Sequence, residues 1–143
     1  MNATIGYIEF EHDALKPLVT IEITSTLKKA DHKTYIGLVD TGATHTVLSK
    51  KIQEELSLKK MGVINISTGS VEFEQLDLYE IKAKIQGTDM SFIEEGLKAA
   101  VSNVNLKGCD VLIGLDVLQY GNLSYDGLRK IFSLTFPNKK VRA

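Results

Sequence analysis

Residues 37–49 read GLVDTGATHTVLS, and the middle of that stretch decides how the rest is read. Asp40 directly follows an apolar run (Tyr35, Ile36, Leu38, Val39) and precedes a turn built on Gly42, after which Val47 and Leu48 begin a second apolar pair. A strand that runs toward a core and ends in a carboxylate is costly unless hydrogen bonds compensate the charge. In a tight Asp-Thr-Gly turn, the backbone N–H groups around Gly42 can point at the Asp40 oxygens. Gly42 permits the backbone angle and leaves space for a second chain to approach. The Thr41 hydroxyl, both donor and acceptor, suits holding such a turn. An isolated Asp-Thr-Gly would read as an Asx-turn without chemistry. This one sits in a longer frame: two apolar residues, Asp-Thr-Gly-Ala, two variable positions, Thr, two apolar residues and Ser49.

Outward from this loop most of the sequence reads as β. Thr4 to Phe10 and Leu18 to Thr24 carry the β-branched, period-two pattern of half-buried strands, with Pro17 marking a turn or strand start. Lys28 to Lys33 is a polar loop, and Thr34 to Val39 is the strand that leads into Asp40. Ser49 to Leu58 is the best helix candidate, with Ser49 as cap and Ile52 and Leu56 one turn apart. Val63 to Ser67, a Thr68-Gly69 turn and the long alternation from Val71 to Ile85 follow. That length predicts a bend or bulge near Gln75. Phe92 to Val104 fits helix or strand. Val111 to Ile113 is a buried-type strand, Asp116 to Tyr120 a short helix closed by Gly121, and residues 122–136 a hairpin turning at Asp126-Gly127 with Phe132, Leu134 and Phe136 on one face. A weak internal echo links strand–Asp–turn at LVDTG with strand–turn–Asp at LIGLD.

The bulk numbers narrow the function. A chain of 143 residues favours a single domain spanning residues 1–143. Hydrophobic content of 43% and charged content of 24% are those of a soluble globular protein. Seventeen basic against eighteen acidic residues give a net charge of −1, so no global field draws the chain to nucleic acid or an anionic membrane. The lysine pairs at 50–51, 59–60 and 139–140 lack the interleaved aromatics of a stacking surface. The one cysteine, Cys109, excludes an internal disulfide and points to a reducing, cytoplasmic setting. It reads as a small residue near a strand start rather than a nucleophile. The first residues lack the basic start and apolar segment of a secretion signal, and no run approaches transmembrane length. His12, His32 and His45 share no metal-ligand spacing, so neither metal nor cofactor is expected.

GLVDTGATHTVLS resembles the active-site loop of retropepsin-like aspartic proteases, the family of the retroviral proteases and their cellular and bacterial relatives. VLIGLDVL, whose Gly114 lies 74 positions after Asp40, resembles the second family signature, an apolar strand, Ile-Gly, then x-Asp and a short helix. ISTGSVEF falls where the family places its flap, a β-hairpin over the substrate. The resemblance covers residues 18–136. It implies a mostly β, closed-barrel protomer with one or two short helices. It further implies an aspartic endopeptidase that cleaves polypeptide. Aspartic proteases use two close carboxylates sharing one proton. A chain with one Asp-Thr-Gly would therefore borrow the second from a copy of itself, as a homodimer in which Asp40 meets Asp40′.

The same resemblance proposes roles residue by residue. Thr41 would bond across the two-fold axis, Gly42 would leave room for the substrate backbone, and Ala43 would line the floor. Ser67, Thr68, Gly69 and Ser70 would form the flap tip. Ile113 and Gly114 would pack beneath the loop, and Asp116 would cap the following helix. His45 is expected to line the pocket or face solvent. Retroviral members carry an acidic residue two positions after the glycine and an arginine after Ile-Gly, which form an ion pair. Thr44 and Leu115 stand there in this chain, a joint absence that leaves no unpaired charge. It is the pattern of the cellular and bacterial branches. Two other readings compete. One is an inactive fold that binds extended peptides or dimerises. The other is an actin-like ATPase sharing the Asp-x-Gly-x-Thr loop, which needs a far longer chain.

Overall fold

Alternation in sequence becomes alternation in burial. In the computed structural model, which describes residues 5–9, 16–67, 73–88 and 96–136, strand β2 (Leu18–Ser25) buries Val19, Ile21, Ile23 and Ser25 and leaves the intervening residues half-exposed. Strand β3 (His32–Val39) does the same with Tyr35, Gly37 and Val39, and pairs antiparallel with β2 in the register Ile21↔Tyr35. The remaining described elements, in order, are β4 (Val47–Leu48), α1 (Lys50–Glu55), β5 (Lys59–Ser67), β6 (Phe73–Ile85), β7 (Leu97–Val101), β8 (Val111–Ile113), α2 (Leu115–Leu118), β9 (Asn122–Asp126) and β10 (Ile131–Thr135). Strand β1 (Ile5–Glu9) precedes them all.

Six strands close on themselves in the order β2-β3-β8-β4-β7-β6, with β6 returning to β2 through the pairing Ile21↔Ile85. Closure removes the sheet edges these strands would otherwise expose. Strand β6 can serve two structures because of its 13 residues. Residues 81–85 pair with β2 and residues 77–81 with β7, whereas residues 73–80 pair with β5, so that residues 73–76 extend beyond the barrel as a hairpin. A second sheet, ordered β1-β10-β9, places Phe132, Leu134 and Phe136 in the same core as Ile21, Ile81 and Ile113. Each such side chain, fully withdrawn from water, contributes about 1.5–3 kcal/mol.

Several expectations are adjusted. Within the segment open to either reading, Leu97–Val101 is a strand, β7, whose Ala99, Ala100 and Val101 are buried; residues 92–95 lie outside the described residues. The register slip of the long hairpin lies opposite β6, between Lys60 and Gly62, where Gly62 adopts φ 121°; around Gln75 the pairing is continuous. Only a glycine takes that angle at little cost. Helix α1 ends at Glu55, and although Ser49 is its N-cap residue, the hydroxyl makes no cap bond and instead accepts from Leu106 N–H at 2.8 Å. The C-terminal hairpin pairs Asp126 with Ile131, so its turn spans residues 127–130 with Lys130 at φ 59°.

Candidate active site

The topology around Asp40 follows from which strands flank β8. Strand β3 runs parallel to β8 and β4 runs antiparallel to it, one on each side. The chain leaving β3 at Val39 must therefore cross the end of β8 before it enters β4 at Val47. Residues 40–46 make that crossing, and Asp40 stays tied to the barrel by its N–H, which donates to Ile113 C=O at 3.0 Å.

This crossing answers the charge problem posed by the sequence. Gly42 N–H donates to Asp40 Oδ1 at 2.9 Å, and Ala43 N–H donates to Asp40 C=O at 3.2 Å. The carboxylate is half-buried, while Thr41 and Gly42 are exposed. A Cβ on Gly42 would lie 3.2 Å from Asp40 Oδ1, so a side chain there would press on the carboxylate. At Gly114 the space is closed altogether. The loop crosses over it so tightly that a Cβ would stand 2.6 Å from the His45 carbonyl carbon and 2.7 Å from Ala43 O.

Asp116, expected to cap the helix, does not occupy the cap position. Gly114 is the N-cap residue of α2, and Asp116 lies inside the first turn. Its two oxygens grip Thr46: Oδ1 accepts from Thr46 Oγ1 at 2.7 Å and Oδ2 from Thr46 N–H at 2.9 Å. Thr46 Oγ1 in turn accepts from Gly114 N–H at 3.2 Å. The opening N–H groups of α2 are met by the loop itself, Leu115 donating to Ala43 C=O at 2.8 Å and Asp116 to Thr44 C=O at 3.2 Å. Helix-end donors and loop acceptors thus satisfy one another. Thr46, 1% exposed, is the residue the sequence reading passed over. A hydroxyl among apolar neighbours, in a frame that needed an anchor, was the available signal. At Thr44 and Leu115, where an ion pair is missing, the backbone groups make the connection.

The loop forms one wall of a cavity of about 560 Å³. Asp40, Gly42, Ala43, Thr44 and His45 line it from the loop; Asn65, Ile66, Glu74 and Leu76 line it from the β5–β6 hairpin. Thr41, Ile113, Gly114 and Asp116 are not part of the lining. Ser67 ends β5 opposite Phe73, and Thr68, Gly69 and Ser70, expected at the flap tip, lie outside the described residues.

Behind the cavity the barrel is held by charge as well as packing. Asp110, just before β8, accepts from Ile36 N–H at 2.9 Å and pairs with Lys51 at 2.7 Å. Burial pushes its carboxyl up, but the Lys51 and Ile36 hydrogen bonds outweigh that and leave it below the ordinary carboxylate range. Burial, with the Glu55 carboxylate beside it, raises Tyr35, whose hydroxyl donates to Glu55 Oε1 at 2.9 Å. Burial likewise raises the Cys109 thiol, with Asp110 adding to the effect, which leaves it a poor nucleophile. Among the described residues no three His, Cys, Asp or Glu side chains form a metal site, and no helix is long and apolar enough to cross a membrane.

The model of the retroviral aspartyl protease family matches residues 13–119, which takes in the Asp40 loop, the hairpin and the Gly114 segment. The chain belongs to that family. Its fold is similar to the crystal structure of a retropepsin-like aspartic protease from Rickettsia conorii, with a TM-score of 0.59 at 16% sequence identity over 94% of each chain. At that identity the likeness speaks for the retropepsin-like fold. No curated protein matches the sequence. Membership of the retroviral aspartyl protease family supports an aspartic protease function for this chain.

Proposed function

We propose that the chain is the protomer of a homodimeric aspartic endopeptidase in which Asp40 and Asp40′ form the catalytic dyad. One observation carries the proposal. Asp40 is held at a fixed strand end by the crossing loop, yet it lines a cavity of about 560 Å³. Two such carboxylates brought together across a two-fold axis cannot both ionise and would share one proton.

The dyad then divides the work. The ionised carboxylate takes a proton from a water as its oxygen attacks the scissile carbonyl carbon, and the protonated one polarises the carbonyl oxygen. Collapse of the tetrahedral diol breaks the C–N bond, and the leaving nitrogen takes its proton from the dyad. Thr41, exposed in the loop beside Asp40, ties the two loops together in this reading. Gly42 and Ala43 leave room for the substrate backbone, and the β5–β6 hairpin serves as the flap over it. The single buried thiol suits a reducing compartment such as the cytoplasm.

The experiment is digestion of a diverse peptide library by the wild-type chain and by Asp40→Asn across a dilution series. Products that vanish in Asp40→Asn, with specific activity falling on dilution, support the dyad. Binding that is equal in the two proteins, with no products from either, would favour a peptide-binding module instead.

A further inference from the structure

We propose that Glu74 makes the cavity beside Asp40 selective for a basic substrate side chain, lysine or arginine, an inference that rests on the aspartic protease reading. Among the described residues, the lining contains three ionisable groups, Asp40, Glu74 and His45, and neither lysine nor arginine. Its remaining wall is largely apolar, with Val47, Ile66, Leu76, Leu106 and Leu112. Glu74 stands on the hairpin strand two residues before buried Leu76, so both side chains face the same side of β6.

The Glu74 carboxylate is positioned and only partly used. Oε1 accepts from Asn103 Nδ2 at 2.8 Å, which anchors the side chain to the segment after β7. Among the described residues it makes no ion pair. A lysine or arginine would lay its aliphatic stem along the apolar wall and bring its charged end to the carboxylate. A purely apolar side chain would fill the wall but strip water from Glu74 without replacing it. An acidic one would meet Glu74 and Asp40 together. Selection therefore works by rejection as much as by attraction. The hydrophobic wall alone would discriminate weakly between apolar side chains.

The test is a positional-scanning peptide library, varied on both sides of the scissile bond because a homodimer presents the cavity twice. Full-length wild-type, Glu74→Gln and Glu74→Lys proteins are compared, each checked by thermal unfolding. At one or more positions the wild type should prefer lysine or arginine over leucine by about 5-fold in kcat/KM, the scale of a partly exposed charge pair. Glu74→Gln should abolish that ratio, and Glu74→Lys should reverse it toward glutamate. No basic preference at any position overturns the inference. So does an equal loss for every peptide in both variants, which would mean Glu74 only braces the hairpin through Asn103. Products unaffected by Asp40→Asn, or none at all, would instead sink the protease reading and the inference with it.

Discussion

Asp40 and Asp116 both follow strands of the same parallel pair, β3 and β8, and their surroundings could hardly differ more. Asp116 is nearly filled, with three hydrogen bonds accepted: both oxygens are taken by Thr46, and Oδ1 also receives Val117 N–H at 3.0 Å. Among the described residues, the Asp40 carboxylate receives one N–H, from Gly42, and faces a cavity. A carboxylate whose acceptor sites are filled is a structural fastener, whereas one with sites to spare can take up a proton or a water. Two aspartates at related strand ends have thus been given opposite tasks, and the loop between them joins the two.

The largest effect should come from breaking the open member. Asp40→Asn is expected to lower turnover of the best library peptide by about 1,000-fold or more. It should leave thermal unfolding nearly unchanged, because the asparagine amide oxygen can still accept from Gly42 N–H. A marked loss of stability would show that Asp40, like Asp116, holds the fold. Next is the point where the loop crosses β8. Gly114→Ala forces a Cβ against the backbone carbonyls of Ala43 and His45 and is expected to cost about 3 kcal/mol in urea unfolding, with activity falling alongside it.

The closed member is tested through its partner. Thr46→Val keeps the shape of the side chain but leaves an Asp116 oxygen and Gly114 N–H without their hydroxyl. The expected loss is about 2 kcal/mol. In a cycle with Asp116→Asn the two changes should be strongly non-additive, and simple additivity would mean that the grip is not shared.

The smallest effect is electrostatic and lies behind both loops. Asp110 has its carboxyl lowered in the folded state, so its stabilisation is present above the ordinary carboxylate range and is lost as pH falls through the lowered value. Asp110→Asn should therefore cost about 1 kcal/mol near neutrality, and the cost should shrink below about pH 4 as the native carboxyl protonates. A pH-independent cost, measured by denaturant unfolding across that range, would assign the effect to packing.

Much of this was legible in order and little of it in position. Apolar alternation revealed β2, and apolar runs revealed β3 and β8, each to within two residues, since side-chain burial leaves its mark on each strand separately. The Leu97–Val101 strand was ambiguous because its alanines carry no local preference; the neighbouring β4 and β6 make it a strand. The hairpin's irregularity was placed on the wrong strand because length drew attention to β6, whereas the left-handed residue, Gly62, sits in β5. Thr46 could be quoted from the sequence but not valued, since its worth depends on a carboxylate 70 positions away.

What the sequence determined by itself was local: an aspartate at the end of a buried strand, a glycine turn to receive it, and a second apolar strand ending in Gly-Leu-Asp. Each is legible because backbone angle and side-chain period act over a few residues. Only the tertiary structure decided that β8 lies between β3 and β4, so that the loop must cross it. That crossing leaves Gly114 no room for a side chain, closes Asp116 onto Thr46 and leaves Asp40 open. The physical reason is that hydrogen-bond saturation is a property of neighbours in space, and distant strands supply those neighbours only once the barrel has closed.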